Sequence, residues 1–326
     1  MSLGLAVVLL ACGTPAPDDG GAADAGLDAS APGLDATITG PRYAFVGEET
    51  CFSVPPTSAE VTWSFGEGAT ASGPEGCHTW DFVGARTVGV VVVDGGRRAE
   101  ATHSLTVVFR PSDPRPTRAS PIAVDAARMR AWVVNPEADT VAVLSFDPPA
   151  LLAERPVGAR PRSLAIVGDV VAVACQDDGT LHLLDAETMT ARAPVPMGGE
   201  PWAVIGDPRG GAFYVASRAG VVTSFGVEGE RLDAVDVGPE PRGMAMNAEG
   251  ALLVTRWRSD GEGARVQTLD ARDPAAMVAG PLTLLPRQTD LDSDTDNSGA
   301  PSFLEALSFS PDGVRAMVAA SKANDV

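Results

Sequence analysis

Few residues in this sequence have the type and spacing that chemistry requires. The histidines are His78, His103 and His182, and none has a partner at metal-ligand spacing. Cys77-His78 ends as a c-type haem attachment site ends, but that site needs C-x-x-C-H and Pro74 stands where the first cysteine belongs. No G-x-S-x-G elbow is present. Lys322, the one lysine, follows no glycine-rich phosphate loop. The 43 acids are too many and too dispersed to nominate an acid–base pair. What stands out is Arg162, Trp202 and Arg242, each directly after a proline and each 40 residues from the last. Two guanidiniums beside an indole hold an anionic or aromatic ligand if the fold brings them together; otherwise they are simple packing at a rim.

A second candidate is the alternating run Asp290, Asp292, Asp294 and Asp296. Carboxylates at this spacing gather oxygen ligands for Ca²⁺ in D-x-D-x-D loops. Asn297 stands where an EF-hand loop has glycine, and Phe303 stands where it has the bidentate glutamate. The expectation is weak Ca²⁺ binding at most, against the plain alternative of a solvated acidic loop. No other cofactor is expected.

The elements that must position these residues follow from an internal repeat. Pro121, Pro161, Pro201 and Pro241 are 40 apart, and Gly158, Gly198 and Gly238 keep the same interval, as do Val141, Leu181 and Val221. Each unit reads apolar–Gly–x–x–Pro–x–x–apolar, then a short strand, a turn and an alternating strand. About 40 residues with four short strands is the size of one propeller blade. Helical spacing is absent. Trp132-Val133-Val134-Asn135 with Thr140-Val141-Ala142-Val143, then Phe213-Tyr214-Val215, and Ser310-Pro311-Asp312-Gly313 resemble the YVTN-type propeller repeat. Four units are legible from residue 120 to about 286, and a fifth starts near Pro301. The resemblance implies closure with seven blades, so residues 117–326 read as a β-propeller incomplete at its C-terminus. It also implies that Arg162, Trp202 and Arg242 lie on innermost strands, at the mouth of the central channel.

Residues 34–110 carry short strands between turn signals, which makes a small β-sandwich. Trp63-Ser64-Phe65-Gly66-Glu67-Gly68, then His78-Thr79-Trp80, Gly84 with Thr87-Val88, and Val93-Asp94 resemble the polycystic-kidney-disease (PKD) type domain, an immunoglobulin-like sandwich. Glu67 replaces that family's Asp, and Thr87 its second aromatic. Trp63 and Phe65 share one strand face and are expected in the core. In the family such modules are spacers or adhesive domains, and its topology sets the strands of Cys51 and Cys77 side by side, which implies a disulfide. Cys175, in an apolar run, reads as a buried thiol.

At the N-terminus an apolar run ends in Leu9-Leu10-Ala11-Cys12-Gly13. It is too short to span a bilayer and resembles a lipoprotein signal peptide (1–11) with acylation at Cys12, although no Lys or Arg precedes it. Residues 12–33 are Asp-, Ala-, Gly- and Pro-rich and read as a disordered tether. The resemblance implies export and a lipid anchor, with Gly13 after the cysteine favouring the outer membrane or cell surface.

The formal charge is −19, which excludes nucleic acid as a partner because phosphate binding needs clustered Lys and Arg. The whole therefore reads as all-β: a small immunoglobulin-like sandwich plus an incomplete propeller. The expected function is a non-enzymatic binding or scaffold lipoprotein with an unidentified protein or carbohydrate ligand. The alternative is the N-terminal part of a propeller enzyme, lactonase-like or joined to a c-type haem peroxidase region beyond residue 326.

Overall fold

The computed structural model describes residues 7–9, 34–259, 263–286 and 300–323. Every regular element among them is a β-strand. The chain divides into two compact units, 14–110 and 111–326 joined by residues 1–13.

In the first unit the strands Tyr43–Phe45, Arg97–Val108, Gly84–Asp94, Glu60–Gly66 and Ala69–Ser72 lie in that order in one sheet, and Glu49–Ser53 pairs with Glu75–Thr79 in a second. Glu60–Gly66 alternates strictly, burying Val61, Trp63 and Phe65 as the period-two pattern requires. Val88, Val90 and Val92 of Gly84–Asp94 are buried on the same core. Phe52, from the two-stranded sheet, meets Phe65 at 6.3 Å and Trp80 at 6.4 Å between ring centroids, so the two sheets share one aromatic centre. The turn Gly66-Glu67-Gly68 holds three successive left-handed residues (φ 88°, 52° and 83°), a path that glycine follows without Cβ strain. Gly76 is required for another reason: a Cβ there would lie 2.5 Å from the Trp63 indole. Cys51 and Cys77 are directly opposed in the two-stranded sheet and form the expected disulfide.

The second unit is propeller-like, a series of four-stranded antiparallel meanders. They are Ile122–Asp125, Arg130–Asn135, Thr140–Phe146 and Pro149–Pro156; Pro161–Val167, Val170–Cys175, Thr180–Asp185 and Val195–Pro196; Pro201–Gly206, Ala212–Ser217, Val221–Gly226 and Arg231–Asp236; and Pro241–Met246, Ala251–Arg256, Gly263–Asp270 and Val278–Pro286. Thr117–Arg118 adds to the fourth sheet along Pro241–Met246. A fifth sheet holds Ala300–Phe309 and Ala316–Ala323, with Val7–Leu9 parallel to the latter.

Each apolar core lies between two consecutive sheets. Trp132, Val141 and Val143 of the first pack with Leu164, Val171 and Val173 of the second. Ala172, Ala174 and Leu183, from the second sheet's other face, pack with Phe213, Val215 and Phe225 of the third. The third and fourth meet through Tyr214, Val222, Met244 and Leu252, and the fourth and fifth through Leu253, Val266, Leu304 and Phe309. A middle strand is thus covered on both sides, which is why Val170–Cys175 is buried at every position and reads as a continuous apolar run rather than an alternating one.

The first strands stand side by side. Leu164 N–H donates to Ser120 O (3.0 Å), just before the first sheet's opening strand, and Val204 N–H donates to Ser163 Oγ (2.6 Å); Thr255 Oγ1–H, on the fourth sheet's second strand, donates to Leu304 O (2.7 Å) on the fifth sheet's first. Polar ties also join neighbouring sheets further out. Arg128 binds Asp125 of its own sheet and Asp169 and Glu187 of the next. Tyr214 Oη donates to Asp207 (3.0 Å) and to Ala271 O (3.1 Å) of the next sheet.

Candidate functional site

The repeat proline opens the first strand of each central sheet, and the residue before it has a left-handed backbone: Arg160 (φ 52°), Glu200 (φ 55°) and Glu240 (φ 50°). This kink sends the residue after the proline toward the same end of every sheet, so a sequence interval of 40 becomes proximity. The Arg162 guanidinium carbon lies 4.4 Å from the Trp202 ring centroid, and that of Arg242 lies 3.4 Å from it. Arg242 also lies 4.9 Å from the Trp257 ring, and Trp257 meets Phe303 edge-on at 5.1 Å.

The sequence places the fifth unit's opening near Pro301; the structure moves its repeat position to Leu304. Gly250 N–H to Asn247 O and Gly313 N–H to Ser310 O close the same turn in the fourth and fifth sheets. Counting back seven residues from each turn gives Glu240 and Phe303, both with positive φ (50° and 55°). Leu304 therefore takes the place of Pro241, and Glu305 that of Arg242. Phe303, considered as a failed calcium ligand in the sequence, instead forms the end of an aromatic ledge with Trp257.

Around the stacked arginines the polar groups are unequally satisfied. Arg162 Nε donates to Gln176 Oε1 (2.6 Å), and Gln176 Nε2 donates to Glu200 (3.2 Å). Arg218 bridges Glu200 (2.6 Å) and Glu240 (3.2 Å). These bonds, from Gln176 first and Arg218 next, hold the Glu200 carboxyl below its ordinary range. Arg242 is only 7% exposed, and its Nε and Nη1 have no hydrogen-bond partner among the described residues. Burial, reinforced by Arg218, pushes the Arg242 guanidinium pKa down, and burial together with Arg160 does the same to Arg162. Both remain cations at neutral pH because an arginine starts so high.

Of the other residues singled out in the sequence, Cys51 and Cys77 form a disulfide, and Cys175 is fully buried, its thiol pushed up to about 12 by burial and by Asp178. Cys12 and the acidic run Asp290, Asp292, Asp294 and Asp296 lie outside the described residues. His78 stacks on Phe65 at 5.0 Å as part of the aromatic packing. Sequence reasoning missed Gln176, Arg218 and Trp257, which end or follow the second strands, and Glu200 and Glu240. The two glutamates were detectable, since they precede the repeat prolines 40 residues apart.

No protein-family model matches the chain, and no curated protein matches it. Among solved structures it is similar to Kuenenia stuttgartiensis hydrazine synthase, at 15% identity and a TM-score of 0.49 over 59% of this chain and 52% of that one. It is also similar to dihydro-heme d1 dehydrogenase NirN in complex with DHE, at 18% identity and a TM-score of 0.41 over 61% of this chain and 41% of that one. The chain thus spans about half of the first and two fifths of the second.

Proposed function

We propose that this chain is a non-enzymatic binding lipoprotein of the bacterial surface. A PKD-type, immunoglobulin-like sandwich acts as spacer, a YVTN-type β-propeller acts as interaction platform, and a lipid on Cys12 is the anchor. The observation that carries the reading is the convergence of Arg162, Trp202 and Arg242 on one spot from three successive first strands. Stacked guanidinium and indole groups are recognition chemistry: they offer charge, flat apolar area and directed N–H donors in a small space. A charge of −19 spread over the remainder keeps such a protein soluble and apart from other anions, while arginines are gathered at the one place meant to attract them.

The test is an array of bacterial surface polysaccharides and peptidoglycan fragments probed with the purified chain and with a triple Ala variant at Arg162, Trp202 and Arg242. Binding that is lost in the variant is the expected result. Binding that survives intact, or no binding to any member by the parent chain, overturns the platform reading. Incorporation of labelled palmitate by the expressing cells, abolished by Cys12→Ser, tests the anchor.

A further inference from the structure

We infer that the platform's ligand is a monoanionic carboxylate carried on a flat carbon face, with the carboxylate at Arg242 and the face on Trp257 and Phe303. This rests on the platform reading above and names the chemistry of its ligand.

The first ground is Arg242 itself. Its Nε and Nη1 carry three N–H donors, and none finds an acceptor among the described residues although the residue is 93% buried. A buried guanidinium without acceptors is among the more costly arrangements a protein keeps. Among the described residues Trp202 and Trp257 stack on this group, and nothing accepts a hydrogen bond from its Nε or Nη1. Glu240 and Glu305 stabilise its charge through space, yet neither forms an ion pair with it among the described residues. Glu240 is instead held by Arg218. Among the described residues these donors have no acceptor, and a bound anion supplies one.

The second ground fixes the charge. Arg218 and Arg162 lie close enough to push the Arg242 guanidinium down, and Glu200, Glu240 and Glu305 lie among them. Inorganic phosphate at neutral pH is a mixture of monoanion and dianion, and the dianion would meet the three glutamates. A carboxylate carries one charge, and its planar oxygens match the edge of a guanidinium.

The third ground fixes the remainder of the ligand. Phe303 is 44% exposed, with a left-handed backbone that a phenylalanine adopts only under constraint. Its ring meets Trp257 edge-on, and Trp257 in turn lies against Arg242. An apolar ledge that continues directly from an unanswered guanidinium suits a carbon skeleton attached to the carboxylate, either an aromatic ring or the flat face of an acidic sugar.

The experiment is calorimetric titration of the full chain at fixed ionic strength with benzoate, glucuronate and inorganic phosphate. The expected result is saturable binding of benzoate or glucuronate, with phosphate markedly weaker; the stronger of the two acids identifies the skeleton. Arg242→Gln, with a thermal melt confirming its fold, weakens that acid by about tenfold or more, as loss of hydrogen bonds to a charged group does. Phe303→Ala, at an exposed side chain, weakens it by about fivefold. Phosphate binding as tight as the acids, or Arg242→Gln binding them as well as the parent, overturns the assignment. So does the absence of saturation by either acid below about 10 mM. If the acids fail while envelope polysaccharide binding still depends on Arg162, Trp202 and Arg242, the carboxylate inference falls and the platform stands; if both fail, both fall.

Discussion

Each unit of the chain sets an arginine over an aromatic ring, and the two arginines are treated oppositely. In the sandwich unit Arg110 lies 4.1 Å from the Phe45 centroid, and Glu48 grips it with both oxygens at 2.6 and 2.5 Å. In the repeat unit Arg242 lies 3.4 Å from Trp202, is more deeply buried, and keeps two nitrogens unanswered. The aromatic residues differ in the same sense. Phe52, Trp63, Phe65, His78 and Trp80 stack on one another around a disulfide, and the Trp63 indole donates to Gly73 O at 2.9 Å. Among the described residues of this unit, the buried side-chain atom without a partner is Trp80 Nε1, a neutral N–H. Trp202 and Trp257 stack on guanidiniums instead. One unit spends its aromatic and charged groups on closing its own core. The other leaves a buried charged donor without an acceptor among the described residues, which costs stability.

This contrast breaks most readily in the sandwich. Trp63→Ala removes a fully buried indole from the shared centre of both sheets and is expected to cost about 3–5 kcal/mol, read from denaturant midpoints. Replacing Cys51 and Cys77 together by Ala opens a 26-residue separation and is expected to cost about 3 kcal/mol, measured the same way. In the repeat unit the matching loss is smaller. Tyr214→Phe removes the single phenolic proton shared between the buried Asp207 carboxylate and the Ala271 carbonyl, both still held by Arg209, at about 1 kcal/mol. Arg242→Met reverses the sign: it removes an unpaired buried charge and fills the space of the stem, so stability without ligand rises by about 1 kcal/mol while carboxylate binding disappears. The smallest effect is at Cys175. Its thiol, raised to about 12, holds about one part in ten thousand of thiolate at pH 8. Peptide mapping after alkylation is expected to find it unmodified in the native chain and fully modified once unfolded.

The legible part of this molecule is the part that repeats or alternates. Val61, Trp63 and Phe65 alternate, and they fill the core. Pro161, Pro201 and Pro241 repeat, and they open three equivalent strands that bring Arg162, Trp202 and Arg242 together. Where the interval changes, the sequence misleads. Pro301 keeps proline identity and multiples of 20, yet the structural repeat has slipped to Leu304, 63 residues after Pro241, so Phe303 and Glu305 did not register as site residues. Trp257 was hidden for a related reason. Its counterparts Gln176 and Arg218 lie 42 apart from each other, and Trp257 lies 39 beyond Arg218, because the second strands follow turns of unequal length. Their types differ too, a glutamine, an arginine and a tryptophan, so no residue identity marks the position. The unanswered state of Arg242 was invisible for a third reason: burial and hydrogen bonding are properties of the folded environment, not of a residue type.

The most direct test compares the two arginines in one spectrum. In the chain labelled with ¹⁵N-arginine, the Nε–H signals of Arg110 and Arg242 are assigned by Arg110→Gln and Arg242→Gln and followed as benzoate or glucuronate is added. The expected result is that the Arg242 signal moves and exchanges more slowly with solvent as the acid saturates, while Arg110, already held by Glu48, stays where it was. An Arg242 signal that does not move with either acid, or moves no more than that of Arg110, would contradict it.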